Sequence, residues 1–382
     1  MDVKVLLIIG PGDDGRPETL DGVPIPLLDV LGASVLERVI SRLERLGMTA
    51  VSVISAVEQS LAGSQGNFRP DLQWVRTSPE QLWRAAAHTF SEYCADGADL
   101  ILAIRLGDYA EIDYEEFVQS HVDQQGRVTV ARGTKGEFLD AAIINGGRRN
   151  EGMFLLRNML RDFRTPCKWY TASRYVQPLF SATDIRQLSI DAFQGRNSIR
   201  PIGTEIRPGV WVGEGARIHR YARVLAPAYI GSRSKVRAAA VITRGSVLEH
   251  HSEVDCGTVV ENSTVLPYAY LGAGLDLAHS VLFGENLHNI PRAITVEIRD
   301  ARLIRSVSRN AASRTLGSAF ELASYLPRTL AQSIRRSFSA RDGDRDATES
   351  TSATLNATDQ VSEPVNPESS DTWVSARRYG NE

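Results

Sequence analysis

Cysteine is scarce: three in 382 residues, Cys94, Cys167 and Cys256, set far apart and with no CxxC pair. That spacing excludes a disulfide framework and a thiolate zinc site, so a reducing cytoplasm is the expected setting. Long apolar runs are missing too. The apolar start, "VKVLLIIG", is shorter than a spanning helix and lacks the basic flank and cleavage site of a signal peptide, so it reads as a buried strand. Neither sign of charge is in excess. The net charge is −3, with 42% hydrophobic and 23% charged residues, and nothing in it points to nucleic acid. A chain this long is expected to hold two or more domains.

What is present in abundance is a repeat. Stepping by six from Ile206 meets Val212, Ile218, Val224, Ile230, Val236, Ile242, Leu248, Val254, Val260 and Leu266, all aliphatic. Two residues before each of these stands Ala, Ser or Thr, with Val210 as the exception. One aliphatic and one small residue per hexad suit a prism of short parallel strands, with the aliphatics filling the interior and the small residues allowing tight corners. The pattern resembles the left-handed parallel β-helix of hexapeptide-repeat proteins. Its phase is read as slipping by one at Gly272, continuing through Leu271, Leu277 and Phe283.

The first half alternates strand and helix patterns. Strands are expected at 3–9, 50–55 and 99–106. A helix is expected over "SVLERVISRLERLGM" (34–48), with Ser34 and Glu37 as a capping box and Gly47 as its stop. Further helices are expected from Ser78–Pro79 and near Asp113, giving an α/β fold with a Rossmann-like, mostly parallel sheet. The order of strand, Gly-rich loop, "PIPLL", helix, strand, "LGD" (106–108) and then a hexapeptide β-helix resembles the sugar-nucleotide pyrophosphorylases, the sugar-1-phosphate nucleotidyltransferases, over roughly residues 1–290.

That resemblance implies nucleotide-binding roles for Gly10, Gly12 and Arg16, sugar-binding roles for Asn150, Glu151 and Gly152, and a Mg2+-binding role for Asp108. The family pattern also carries a Lys between two prolines, and here that residue is Ile25, between Pro24 and Pro26. Pro11 removes a backbone donor, and Asp13 and Asp14 bring negative charge to a loop meant for phosphates. A Lys about 4 Å from a phosphate charge is worth roughly 4 kcal/mol at an effective dielectric near 20, or about a thousandfold. The expectation is a degraded catalytic loop on a ligand-binding, regulatory or scaffold subunit that takes a sugar phosphate or nucleotide and joins copies of itself or a partner. An active divergent nucleotidyltransferase and a hexapeptide acyltransferase are the alternatives.

For acyl transfer the candidates are His219, His250 and His251. With Glu249, they are read as outward-facing polar residues in solvent. After the β-helix, residues 301–341 carry eight Arg and one acid, Glu321, with Leu322, Leu326, Leu330 and Ile334 at helical spacing. They are read as a basic amphipathic helix suited to an anionic membrane surface or a partner. The domain plan is therefore 1–200 (α/β), 201–290 (β-helix), 291–341 (exit strand and basic helix) and 342–382 (a polar, disordered tail).

Overall fold

The computed structural model describes residues 1–10, 19–20, 22–56, 72–147, 168–172, 174–307 and 373–375. The apolar start is strand β1 (Val3–Ile9). Helix α1 (Val35–Arg45) follows, capped reciprocally by Ser34 and Glu37. Its Val35, Leu36, Val39, Ile40 and Leu43 are buried, while Leu46, at the C-cap, lies exposed. Next come β2 (Val51–Ser55), β3 (Gln73–Arg76), α2 (Leu82–Ala95), β4 (Leu100–Arg105) and α3 (Tyr114–Asp123). They are followed by β5 (Val128–Arg132), β6 (Phe138–Asn145), β7 (Lys168–Thr171) and α4 (Ala182–Phe193).

The seven strands form one mixed sheet in the order β7-β5-β6-β4-β1-β2-β3. Only β6 runs against the others. Alternate residues of β1 serve two cores. Leu6 and Ile8 face α2, whereas Val5, Leu7 and Ile9 face the layer built by α1, α3 and α4. The chain leaves β1 toward β2 and β3, then returns on the other side to β4. The order of strands therefore reverses beside β1, and the crevice outside the carboxyl ends of β1 and β4 is where such sheets take ligands.

From Val210 onward, short strands stack in parallel into three sheets, an arrangement resembling a β-helix. Val212, Val224, Ile230, Val236, Ile242, Leu248, Val254 and Val260 fill its interior. Ala216, Ala228, Ser234, Ala240, Ser246, Ser252 and Thr258 are buried at the corners, as the spacing requires. The serines also bond there: Ser234 Oγ donates to the Glu249 carbonyl at 2.7 Å.

The repeat differs from its sequence reading at both ends. Thr204–Arg207, which holds Ile206, pairs antiparallel with Val210–Val212 and belongs to no parallel coil. The slip comes earlier than Gly272. Leu248 pairs with Val265, so the interior residue is Val265, and Leu266 turns to the core shared with the α/β sheet. A second one-residue shortening puts Leu282 inside and Phe283 into that same shared core. Both shortened corners lie where the stack abuts the α/β half.

Past the last coil the structure also departs from expectation. Ile304–Ser306 is a strand that pairs antiparallel with Ala269–Leu271, and Ile304 enters the prism core. Arg302 pairs with Asp300 at 3.0 Å, and the Arg305 guanidinium lies 3.8 Å from the Tyr270 ring centre. The start of the expected basic helix is thus a closing strand, and its first two arginines are occupied. The apolar row Leu322, Leu326, Leu330 and Ile334 lies outside the described residues. Within the segment read as a tail, Trp373–Ser375 form a strand that pairs antiparallel with Arg217–His219. No helix among the described residues is long and apolar enough to cross a membrane.

Candidate ligand site at the carboxyl edge and the junction behind it

Gly10 follows the carboxyl end of β1. A β-carbon there would sit 2.6 Å from Leu82 Cδ2 and 3.0 Å from the Ala56 β-carbon, so close packing of the α2 start explains this glycine. Ile25 is 1% exposed in the core under α1, which leaves an aliphatic side chain pointing inward where the resemblance expects a phosphate-binding Lys. Gly12, Arg16, Asn150, Glu151 and Gly152 lie outside the described residues.

Asp108 opens a short strand, Asp108–Ala110, that pairs antiparallel with Val176–Pro178. Beside it stands a residue that the sequence reading passed over. Arg105 ends β4, and its Nε donates to Asp140 Oδ2 at 2.7 Å while Nη2 meets the same oxygen. A β-carbon on Gly107 would be 3.0 Å from the Arg105 guanidinium carbon, so the guanidinium lies against Gly107, next to Asp108. The available signal was an arginine ending the otherwise apolar "LILAIR".

Among the described residues no three His, Cys, Asp or Glu side chains converge, and Asp140 is engaged by Arg105. A planar guanidinium suits a phosphate or carboxylate group, and here the Arg105 guanidinium already holds the Asp140 carboxylate.

Behind the crevice lies a polar junction between the two halves. Asp29–Val30 and Ala33–Ser34 form a hairpin whose two loop residues, Leu31 and Gly32, have φ of 56° and 94°. Both loop amides donate to the Glu249 carboxyl, Leu31 N at 2.6 Å and Gly32 N at 3.0 Å. A β-carbon on Gly32 would fall 2.2 Å from the Tyr229 hydroxyl oxygen. Arg38 donates to the Val30 carbonyl at 2.7 Å, and His250 Nδ1 lies 2.6 Å from Asp29 Oδ2. Arg186 of α4 adds a second anchor. It is fully buried and donates to the Gly245 carbonyl and Asn262 Oδ1, both at 2.7 Å, and to Thr264 Oγ1 at 3.3 Å. Burial pulls its pKa down to about 10.

Glu249 and His219 are therefore not solvent-facing, as the repeat phase had suggested. Both point away from the prism, yet Glu249 is 0% exposed and His219 5%. The phase shows which side chains leave the prism, but not that another layer covers that face.

Burial pushes the Glu249 carboxyl above its ordinary 4.5, and the Asp29 charge adds to the rise. The two amides and Arg38 oppose it. A carboxyl raised on folding contributes stability that is fully present below 4.5 and is lost as pH climbs through the raised value. Urea midpoints of the wild-type chain should fall as pH rises from 4.5 toward the raised value and level off above it, and Glu249→Gln should flatten that fall. Equal slopes for the two proteins would show that Glu249 does not titrate this way.

In comparisons with known proteins, the chain matches no family model and no curated sequence.

Proposed function

We propose that this protein is a sugar-1-phosphate nucleotidyltransferase-like subunit, with a left-handed β-helix as its second half, that binds a sugar phosphate or nucleotide without turning it over efficiently. The observation that carries the reading is the makeup of the carboxyl edge. The strand order reverses beside β1 and β4, yet Ile25 is buried in the core and Asp140 is tied to Arg105. At the carboxyl ends of β1 and β4 the described residues carry the Arg105 guanidinium, ion-paired with Asp140, and no three His, Cys, Asp or Glu side chains that gather for a metal. Nucleotidyl transfer depends on positioning and on charge stabilisation, so a site with this makeup retains binding more readily than rate.

Acyl transfer is the second reading. It draws support from His250, whose Nδ1 is held by Asp29 in the way a general base is oriented. A thermal-shift screen with nucleoside triphosphates, sugar 1-phosphates and acetyl-coenzyme A separates the two. Stabilisation by a nucleotide or sugar phosphate that Arg105→Gln weakens by roughly tenfold or more in Kd is expected. Stabilisation by acetyl-coenzyme A alone favours the acyl reading. Rapid pyrophosphate release from a triphosphate and a sugar 1-phosphate with Mg2+, lost in Asp108→Asn, would replace the binding subunit with an active enzyme.

A further inference from the structure

The stack of short strands is divided by charge. Residues 207–244 hold eight Lys and Arg and a single acid, Glu214, whereas residues 245–285 hold six Asp and Glu and no Lys or Arg. Part of this separation is neutralised where the two zones meet. Arg237 pairs with Glu253 at 2.6 Å, Lys235 with the same residue at 3.7 Å, and Arg244 with Glu261 at 2.9 Å.

Two of the three sheets are already engaged on their outer faces. The sheet holding Tyr229, Val247 and Val281 packs on the α/β core. The sheet holding Lys235, Glu253 and Tyr270 carries the ion-paired ladder, and its edges take Ile304–Ser306 and Trp373–Ser375. The third sheet is built from Arg223–Val224, Val241–Thr243, Val259–Glu261 and Asp276–Ala278. Its inward row, Val224, Ile242, Val260 and Leu277, is buried.

The outward row of this third sheet reads Arg223, Val241, Val259, Asp276, fixed by the strand register. Its ends, Arg223 and Asp276, are exposed, and its valines are partly open. Among the described residues neither end has an ion-pair partner. The row has a cation at one end, an anion at the other and two identical apolar side chains between them, so it is complementary to itself when reversed.

We propose that this face seats a second copy of the chain, packed antiparallel about a two-fold axis that runs along the strands between the two valines. Strands lie about 4.8 Å apart, so the row spans roughly 14 Å and the reversed row lies directly over it. Arg223 then meets the second copy's Asp276, twice by symmetry, and Val241 meets the second copy's Val259. The neighbouring outward row also agrees. Leu225, 51% exposed, meets the second copy's Ala278, and Thr243 meets Glu261, whose charge Arg244 of its own chain already engages. A two-fold interface uses the same patch on both partners, and this row satisfies that condition. Stacking the chains in the same direction would set Arg223 on Arg223 and Asp276 on Asp276, which like-charge repulsion opposes.

Sedimentation equilibrium of the full chain over a range of concentrations tests this. The expected species has twice the 42.0 kDa chain mass and weakens at high salt. Arg223→Asp and Asp276→Arg are each expected to weaken self-association by about tenfold or more, because each places like charges across both contacts. Combining the two restores the opposite-charge pairs, and with them the dimer. Mixing Val241→Cys chains with Val259→Cys chains under mild oxidation should give more linked dimer than either variant alone, a readout that does not depend on the charge variants folding. A 42.0 kDa monomer throughout, a dimer indifferent to both charge changes, a combined variant that stays weak, or cross-linking of Val241→Cys with itself would each overturn the proposal.

Discussion

Ile230→Asp is expected to lower the melting temperature by roughly 10 °C or more, while Arg233→Asp leaves it nearly unchanged. Ile230 is 0% exposed, with prism aliphatics around it, so a carboxylate placed there has neither water nor a partner. The cost of several kcal/mol is a large fraction of a typical domain's stability. Arg233 sits three residues later at an exposed corner, with φ of 56°, a conformation Asp tolerates better than most residues. Scanning calorimetry of the two variants beside the wild-type chain measures the contrast. Matching transitions would mean that Ile230 does not face the interior.

The second large effect is expected at Arg186. Arg186→Ala should cost about 3–5 kcal/mol, because it opens a cavity and strips the Gly245 carbonyl and Asn262 Oδ1 of their donor. Arg186→Met should cost less than the alanine change. It refills the space, and it removes a buried charge that no carboxylate accompanies among its hydrogen-bond partners. Urea denaturation decides the order. If methionine proved as costly as alanine, the hydrogen bonds would outweigh the packing. If both were neutral, α4 would not anchor the stack.

The elements that were legible in the sequence are those whose side chains serve a single neighbour. The six-residue spacing marked the prism because its interior accepts only aliphatics, and Ser34 with Glu37 marked the start of α1 because both act within one turn. Helix α4 was not read, since its buried face includes Arg186, Ser189 and Asp191. Those groups find partners that only the folded chain brings near, such as Asn262 for Arg186 and Tyr175 for Asp191. Strands β5 and β6 were likewise passed over. The Arg105–Asp140 pair depends on β6 lying antiparallel beside β4, a pairing that local pattern does not encode. The slip was misplaced for a related reason: Leu266 keeps the hexad spacing by residue type while packing on the α/β core in place of the prism.

The contact between Glu249 and the hairpin at Leu31 has a consequence for how the chain is made. The two residues are 218 positions apart. At roughly 5–20 residues per second, the ribosome needs about 10–45 s to synthesise that interval. During that time the hairpin has emerged with two amides whose acceptor does not yet exist. The α/β half therefore begins life with one flank unsealed, and the stack that follows it supplies the missing wall.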